Sequence, residues 1–269
     1  MIGLNYLGRM GQLGNQMFQY AAIKGIAAKH GYEYTIPDHS EKIKDSLGNI
    51  LRIELFDVFD IRPHQTGYLL ADGARTEMHF HFDEDILKNC PDNVTIVGYF
   101  QSEKYFKHIE EDIRNEFTFK REYLEACEPH KPHMQGSIAL HIRRGDFLIN
   151  SLNHHNLSMK YYENALKEFP EDQSVFIFSD DPVWCKEQEL FASDRFSVCE
   201  SGSSYVDLCL MSMCSDFIIA NSTFSWWGAW LSRNKDKKVV YPSKWFGPNN
   251  ADKLTKDLFP EEWRMADEN

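Results

Sequence analysis

The chain has 269 residues, of which 42% are hydrophobic and 14% aromatic, enough apolar material for one large domain or two of ordinary size. Its net charge of −12 and its isoelectric point near 5.4 exclude a general attraction to nucleic acid or to an anionic membrane surface. An anionic ligand would therefore need a local cluster of arginine side chains, backbone N–H groups and hydroxyls.

Neither the N-terminal residues nor the cysteines indicate export. The first residues lack the basic region and long apolar stretch of a signal peptide, and no window approaches the ~18 apolar residues of a membrane span. The six cysteines show no C-x-x-C spacing, and several lie in apolar surroundings, which is typical of reduced, buried thiols. We therefore expect a cytoplasmic protein without a transmembrane segment.

A strand, a glycine-rich loop and a helix are predicted at the start of the chain. Residues 2–7 have the pattern of a short strand, and glycines at positions 8, 11 and 14 precede a strong helical pattern. Such a loop brings backbone N–H groups and a helix N-terminus toward a ligand, although its spacing is neither G-x-G-x-x-G nor that of a P-loop. The alternative interpretation is a plain tight turn, with Asn15 as a helix cap.

The first half continues with alternating elements and ends in a linker. Strands are predicted over residues 32–36 and 94–100, and helices over residues 102–117 and 121–128. Residues 38–93 have no clear pattern apart from a helix start at Asp83 and Asp85. Residues 129–136 contain two prolines and a glycine, so we place the boundary there, with domains over residues 1–132 and 133–269.

The second half alternates in the same way. Strands are predicted over residues 138–142, 175–178, 196–199, 217–220 and 239–241, and helices start near Ser158, Pro182, Tyr205 and Ser222. Alternation in both halves predicts two α/β units with mostly parallel sheets. Trp226, Trp227 and Trp230 are interpreted as core residues rather than as a platform for a sugar.

Polar side chains follow three of these strands at their carboxyl ends, where an open parallel sheet binds ligands. His141 and Arg143 lie on one face of the first strand end, and arginine matches phosphate oxygens with its planar fork. Asp180 and Asp181 follow the second strand, and a carboxylate there could accept two N–H groups from a guanine edge. Residues 221–225 open a helix with hydroxyls and N–H groups that suit an anion. Together these ends describe a purine diphosphate site.

Each of these groups also has a purely structural interpretation. Arg144 and Asp146 could pair and lock the turn after the strand, with Gly145 between them. The acids at 180 and 181, and the hydroxyls at 222 and 223, could be helix N-caps.

Five motifs resemble those of the α-1,2-fucosyltransferases of glycosyltransferase family 11, in the same order and over essentially the whole chain. They are residues 14–21 (GNQMFQYA), 98–106 (GYFQSEKYF), 141–146 (HIRRGD), 178–181 (FSDD) and 219–230 (IANSTFSWWGAW). The H-x-R-R-x-D pattern is also similar to that of α-1,6- and protein O-fucosyltransferases, which use the same donor, GDP-fucose.

The resemblance implies a GT-B architecture: two Rossmann-like domains facing across a cleft, with the donor in the second and the acceptor largely against the first. The last helix of the second domain would pack back on the first domain. The implied reaction is inverting transfer of L-fucose from GDP-β-L-fucose to the 2-hydroxyl of a terminal galactose in a lipopolysaccharide or other oligosaccharide. Nucleic acid is not an expected partner, and a membrane would be approached only peripherally, through a lipid-linked acceptor.

Roles for individual residues follow from the same resemblance. Arg143 is the candidate catalytic residue, because negative charge grows on the departing GDP. His141 and Asp180 would hold the guanine, and Gly14, Asn15 and Gln16 would approach the pyrophosphate or the fucose. The remaining expected substrate-binding residues are Arg144, Asp146, Asp181, Asn221, Ser222, Thr223, Phe224 and Ser225.

No single general base is evident from the sequence, which leaves a carboxylate or histidine within residues 38–93 as the open alternative. No metal or other cofactor is expected either, and the D-x-D pair Asp83 and Asp85 is interpreted as structural because acids in a first helical turn favour the helix dipole. The alternatives to fucosyl transfer are another GDP-sugar transferase on the same scaffold and a glycan-binding protein with a decayed transferase fold.

Overall fold

The computed structural model describes residues 1–40, 43, 44 and 50–269. The chain forms two compact units, both of the predicted α/β class. Unit 1 consists of Met1–Lys120 with Lys253–Pro260, and unit 2 of Arg121–Asp252 with Glu261–Asn269. Within the described residues, no helix combines the length and the apolar character needed to span a bilayer.

Unit 1 is built on a parallel sheet. Its strands are β1 (Ile2–Gly3), β2 (Tyr34–Ile36), β3 (Ile43–Lys44), β4 (Ile50–Leu51), β5 (Gln65–Thr66), β6 (Gly73–Thr76) and β7 (Val94–Val97). Five of them pair in parallel in the order β5-β2-β1-β7-β6, whereas β3 and β4 form a separate antiparallel pair. The helices of unit 1 are α1 (Leu13–His30), α2 (Leu55–Val58), α3 (Glu84–Asn89) and α4 (Glu110–Glu116), with 3-10 turns at Glu103–Tyr105 and Lys107–Ile109.

The helix α1 is the central helix of unit 1 and is buried on nearly every side. It passes so close to the 3-10 turn at Glu103–Tyr105 that a Cβ atom on Gly25 would lie 2.1 Å from the carbonyl oxygen of Tyr105. It ends at Gly31, whose left-handed conformation lets its N–H group bond back to the last turn. The small residues that the sequence shows in this helix are therefore a packing requirement.

Unit 2 carries a second parallel sheet. Its strands are β8 (Ile138–Ile142), β9 (Val175–Ser179), β10 (Phe196–Val198), β11 (Asp216–Ile218), β12 (Val239–Pro242) and β13 (Arg264–Ala266), in the order β10-β9-β8-β11-β12-β13. Its helices are α5 (Arg121–Cys127), α6 (Lys131–Met134), α7 (Gly145–Ile149), α8 (Met159–Leu166), α9 (Pro182–Lys186), α10 (Ser204–Met213) and α11 (Thr223–Leu231). All five residues of β8 are buried, as expected for a central strand covered on both faces.

The core of unit 2 joins this sheet to its helices. Alternate side chains of β8 and β9 pack with Tyr161, Tyr162 and Ala165 of α8 in one apolar cluster. Trp226, Trp227 and Trp230 are buried along α11, which confirms that they belong to the core. The six cysteines are free thiols, and all but the half-buried Cys199 are buried.

Several elements differ from the prediction. The first strand and β7 are shorter than expected, and the helix predicted over residues 102–117 is broken into two 3-10 turns followed by α4. The short strands β5, β6 and β13 and the helix α7 were not predicted. These elements span two to five residues, which is too short for a periodic pattern to develop.

The two units also divide the chain differently from the predicted boundary between residues 132 and 133. The helix α5 belongs to unit 2 because it packs on α10: the rings of Tyr123 and Tyr205 lie 5.8 Å apart, and Cys127 contacts the carbonyl oxygen of Val206. Near the other end of the chain, Lys253–Pro260 joins unit 1 without forming a helix, and Asp257 pairs there with Lys104 at 2.6 Å.

Candidate functional site

The three predicted strand ends are neighbours in the sheet of unit 2. The strand β8 lies between β9 and β11, so the segment that begins at Arg143 emerges between Asp180 on one side and Ser222 on the other. Because all three strands are parallel, their carboxyl ends meet at one edge. The sequence predicted these strand ends, and the sheet order brings them together.

Arg143 is held between two carboxylates at this edge. Its Nη2 donates to Asp146 Oδ1 at 2.6 Å, and its Nη1 lies 2.7 Å from Asp180 Oδ2. The guanidinium also lies over the ring of Phe147, 5.3 Å from its centroid, and the side chain is 22% exposed. A guanidinium has more N–H donors than these two contacts use, so Arg143 is fixed in place and can still bind an anion.

Arg144 has different neighbours. Its Nε donates to Asp181 Oδ2 at 3.0 Å, and its guanidinium stacks on Trp184 at 3.8 Å, while its backbone N–H donates to Asp180. A Cβ atom on Gly145 would lie 2.6 Å from Asp180 Oδ2, so only glycine allows this approach. The structural alternative in which Arg144 pairs with Asp146 is therefore wrong, because each of them has another partner.

His141 is buried, with 5% of its surface exposed, and its ring lies 5.5 Å from that of Phe224. Burial, assisted by the positive charge of Arg143, lowers the pKa of His141 to about 3, so the imidazole is neutral near pH 7. Its Nδ1 is buried without a hydrogen-bond partner. An unpaired buried polar atom is costly, and here it leaves an open hydrogen-bonding position beside Arg143.

The residues at the start of α11 divide into two groups. Asn221 is buried and donates to the carbonyl oxygens of His155 and Trp245, while Ser225 is buried against the carbonyl oxygens of Ala220 and Ser222. These two side chains hold the loop. Ser222 caps the helix through the N–H group of Phe224, and Thr223 follows in its first turn. The N-terminus of α11 with the Thr223 hydroxyl is therefore what remains for an anion.

The glycine-rich loop of unit 1 is organised by a carboxylate. Glu54 Oε2 accepts the N–H group of Leu13 at 2.9 Å, so a negative charge already lies at the N-terminus of α1. Gln16 is buried and bonds to Gly11, Arg52 and Glu54, and Gly14 is buried as well. These contacts favour a structural role for Gly14 and Gln16. The approach of these two residues to a pyrophosphate stays a prediction that the contacts do not support.

Asn15 is the half-exposed member of that motif. Its Oδ1 accepts from Gln101 Nε2 at 2.8 Å, and Gln101 belongs to the second motif, at residues 98–106. Gln101 is buried, yet its Oε1 has no hydrogen-bond partner. The two motifs of unit 1 therefore meet in an amide pair that retains unused hydrogen-bonding capacity.

A turn in the second motif is fixed by Glu77, which directly follows β6. Glu77 Oε2 accepts the N–H groups of Tyr99 and Phe100 at 2.9 and 3.1 Å, and Tyr105 donates to Oε1. Phe100 has a φ of 52°, in the left-handed region that non-glycine residues rarely adopt. Burial raises the pKa of Glu77 to about 7, although the backbone N–H groups oppose this shift.

The D-x-D pair has the contacts of a helix start. Asp83 caps α3 by accepting the N–H groups of Asp85 and Ile86, and Asp85 pairs with Arg75 and Asn89. Among the described residues, no group of three or more histidine, cysteine or acidic side chains could hold a metal ion.

Sequence reasoning missed several of these side chains. Glu54 and Glu77 lie in the stretch that showed no pattern, and only the fold brings them to α1 and to the turn after β7. Asp207 of α10 was also missed: its side chain accepts from Ser201 at 2.7 Å just beyond β10, and burial raises its pKa to about 6. No local signal in the sequence distinguishes these acids from surface acids.

Comparison with known proteins decides the family. A family model described as "Glycosyl transferase family 11" matches residues 1–266. The chain belongs to glycosyltransferase family 11. The family-11 chain is thus a glycosyltransferase by membership, and the resemblance carried by its five motifs is confirmed.

Similar family-11 proteins come from bacteria and mammals. An O-antigen biosynthesis glycosyltransferase, WbnK, of Escherichia coli is 32% identical over 92% of this chain and 96% of its own length. An alpha-1,2-colitosyltransferase of Escherichia coli is also 32% identical, over 94% and 95%. A galactoside alpha-(1,2)-fucosyltransferase 2 of Bos taurus is 25% identical over 86% and 69%.

Solved structures show the fold. POFUT1 in complex with GDP-fucose has a TM-score of 0.55 at 11% identity, covering 89% of this chain and 96% of that one. NodZ alpha-1,6-fucosyltransferase soaked with GDP-fucose has a TM-score of 0.52 at 13% identity, covering 86% and 91%. The family-11 chain therefore has the predicted GT-B class of fold.

Glu77 gives a testable pH dependence of stability. Its pKa in the folded protein is raised from about 4.5 to about 7, so the folded state binds this proton more tightly than the unfolded state. Wild-type protein should therefore lose the corresponding stability as the pH rises from about 4.5 through about 7, and a Glu77→Gln variant should not. Because Glu77 is only partly buried by surface area, we expect the variant to gain about 1–3 kcal/mol relative to wild type over this range.

Urea unfolding of wild type and Glu77→Gln at pH about 5 and about 8 measures the difference between their free energies of unfolding. The other titrating groups are the same in both proteins, so their contributions cancel in this difference. Glu84→Gln, on the exposed face of α3, is the matched control and should give the same difference from wild type at both pH values. A difference between Glu77→Gln and wild type that does not change with pH would contradict the assignment.

Proposed function

We propose that this family-11 enzyme transfers L-fucose from GDP-β-L-fucose to the 2-hydroxyl of a terminal galactose in a glycan, with inversion at the anomeric carbon. The observation that carries the proposal is the environment of Arg143 at the carboxyl edge of the sheet in unit 2. A fixed guanidinium, a neutral imidazole with an unpaired Nδ1 and a helix N-terminus lie on adjacent strand ends. That set suits a nucleoside diphosphate.

In this reaction the bond between the anomeric carbon and the diphosphate oxygen breaks, and a bond forms from the acceptor oxygen on the opposite face. The transition state resembles an oxocarbenium ion, and negative charge grows on the departing GDP. Arg143 would stabilise that charge with the N–H groups that Asp146 and Asp180 leave unused, helped by Thr223 and the N-terminus of α11. The acceptor hydroxyl gives its proton to a general base as this bond forms.

The role of Asp180 changes from the one predicted. Its carboxylate is engaged by Arg143 and by the backbone N–H group of Arg144, so we assign it the positioning of Arg143 rather than guanine binding. His141 retains the assignment to guanine, because its Nδ1 is unpaired. Asp207 accepts from Ser201 just beyond β10 and has no ion pair with any described residue, so its carboxylate offers the acceptor that the guanine N–H groups require.

Transfer of colitose is a second candidate, favoured by a specific comparison. The alpha-1,2-colitosyltransferase is 32% identical to this chain over nearly its whole length, against 25% for the bovine galactoside fucosyltransferase. Colitose is L-fucose without the 3-hydroxyl. A site that binds this hydroxyl rejects the analogue that lacks it by about 10⁴-fold or more, whereas an apolar pocket discriminates weakly.

Donor competition tests both candidates. We expect GDP release from GDP-fucose in the presence of lactose, with an α-1,2-linked product by NMR, and little release from GDP-mannose. A higher kcat/KM for GDP-colitose than for GDP-fucose would replace the first candidate by the second. Absence of turnover with all three donors would contradict both and favour a glycan-binding protein.

Arg143→Lys should lower kcat by about 10²-fold or more, because lysine keeps the charge but loses the planar fork. The assay is GDP release at saturating donor and acceptor, with thermal unfolding as a check that the variant folds. Arg195→Lys is the matched control, since Arg195 lies in the same unit and donates only to the carbonyl oxygens of Pro170 and Gln173. Near-native turnover of Arg143→Lys together with loss in Arg144→Lys would reverse the two roles.

Transfer should not require a metal, because Arg143 and the N-terminus of α11 already offer fixed N–H donors to the diphosphate. We expect activity to persist in excess EDTA and in Asp85→Ala, within a few-fold. Asp83→Ala should cost about 1 kcal/mol of stability through the lost helix cap, with little effect on turnover. Loss of activity in EDTA that Mg²⁺ or Mn²⁺ restores would disprove metal independence.

A further inference from the structure

The exposed aromatic residues of the described structure all belong to one unit. The chain contains 19 phenylalanines, 6 tryptophans and 12 tyrosines, nearly all buried or half-buried in the described structure. Within the described residues, the exposed aromatic side chains are Tyr6, Tyr68 and Tyr99, with 45%, 42% and 38% of their surface accessible. All three belong to unit 1.

Each of these tyrosines follows a strand of the parallel sheet in unit 1. Tyr6 comes three residues after β1, and Tyr68 and Tyr99 come two residues after β5 and β7. Since all five strands run in the same direction, the three segments leave the sheet at its carboxyl edge. That edge is where open parallel sheets bind ligands.

Two of the loops that carry these tyrosines are tied together. The side-chain amide of Asn5 donates to the carbonyl oxygen of Leu69 at 2.9 Å and accepts its N–H group at 3.0 Å. The N–H group of Asn5 donates to Thr95 of β7 as well. A Cβ atom on Gly3 would lie 2.7 Å from that of Leu69, so the loop after β5 packs directly on the end of β1. The loops are therefore fixed before any ligand arrives.

The third loop is fixed at a cost in backbone strain. Phe100 holds a left-handed conformation, which costs on the order of 1 kcal/mol or more, and Glu77 stabilises the turn by accepting the N–H groups of Tyr99 and Phe100. The consequence of this turn is that Phe100 is buried while Tyr99 remains exposed. Backbone strain of this kind is often found at ligand-binding sites, and here it holds the Tyr99 ring in a fixed, exposed position.

Polar groups adjoin the tyrosines. Arg9 donates to the Tyr68 hydroxyl at 3.0 Å and lies over its ring, beside a shallow depression that Leu7, Pro37, Arg52 and Ile53 also line. Next to Tyr99 in the chain, Gln101 retains an unpaired, buried Oε1 and bonds to Asn15. Flat rings with polar rims, next to amides and a guanidinium, suit a ligand that has C–H faces and many hydroxyls. A sugar ring has both.

We propose that Tyr6, Tyr68 and Tyr99 form the surface on which unit 1 binds the acceptor oligosaccharide, with a sugar ring stacked on Tyr99. This inference rests on the proposed glycosyl transfer and names the residues that select its acceptor. The occupant is an uncharged glycan rather than the nucleotide, because Glu54 and Glu77 already accept the backbone N–H groups that a phosphate would need at this edge. Tyr99 contributes ring area, so its hydroxyl is less important than its ring.

Steady-state kinetics with lactose and GDP-fucose test the proposal. Tyr99→Ala should raise the KM for lactose about tenfold or more and leave the KM for GDP-fucose within about twofold. Tyr99→Phe should retain most of the affinity for lactose, and Tyr68→Ala should weaken it further than Tyr6→Phe. Tyr32→Ala is the matched control: Tyr32 is half-buried, lies before β2 at the opposite edge of the sheet, and should leave both KM values unchanged.

A direct binding measurement separates this inference from the proposed function. Saturation-transfer NMR detects lactose or N-acetyllactosamine on the protein without turnover, so it can succeed even if GDP-fucose is not the donor. Loss of the signal in Tyr99→Ala but not in Tyr32→Ala is the expected result. No saturation transfer to either disaccharide in wild type, or an equal signal in folded Tyr99→Ala, would overturn the proposal. A change of oligomeric state in Tyr99→Ala without a change in lactose binding would assign the surface to self-association and would also overturn it.

Discussion

The ionic contacts of Arg143 determine how the edge of the sheet in unit 2 is organised. A guanidinium at the end of a buried strand is stable only if carboxylates compensate its lost hydration, and Asp146 and Asp180 do so from two different segments. Asp180 also accepts the N–H group of Arg144, and Gly145 gives it the space to approach. One carboxylate directly after β9 thereby fixes the turn after β8, the direction of Arg143 and the start of α7.

The two carboxylates also limit what Arg143 can do. Because carboxylates pair with it on both sides, the arginine contributes little net positive field at this edge. Its contribution to binding is directional: N–H groups held at fixed positions lose little conformational freedom when an anion arrives. The same reasoning applies to the neutral His141, which offers a hydrogen-bonding position without adding charge.

Unit 1 uses different chemistry on the same kind of sheet edge. Carboxylates of Glu54 and Glu77 occupy the backbone N–H groups that would otherwise attract an anion. Besides Arg9, this edge presents the half-exposed amide of Asn15 and the exposed tyrosine rings. Two similar parallel sheets thus present an arginine-centred edge in unit 2 and a tyrosine-lined edge in unit 1, and the difference comes from a few side chains at strand ends.

The sequence by itself determined the class of fold, the family and the place of the strand ends in unit 2. Long apolar runs such as residues 138–142 end abruptly in charge, and this pattern is local, so it survives without any knowledge of the fold. The buried role of the tryptophans in α11 and the helix start at Asp83 were also predicted from local pattern. Family resemblance added a function that periodicity alone does not contain.

Only the tertiary structure decided which of these groups meet. The pairing of Arg143 with Asp180 joins residues that are 37 positions apart in the chain, and the bond between Glu77 and Phe100 joins a segment without pattern to a predicted strand end. The substrate-binding interpretation of Gln16 and Asn221 lost support because burial and backbone hydrogen bonds, which no local pattern reports, occupy their amides. Ion pairs and exposed rings depend on the order of strands in a sheet, and that order is set by packing over the whole domain rather than by neighbouring residues.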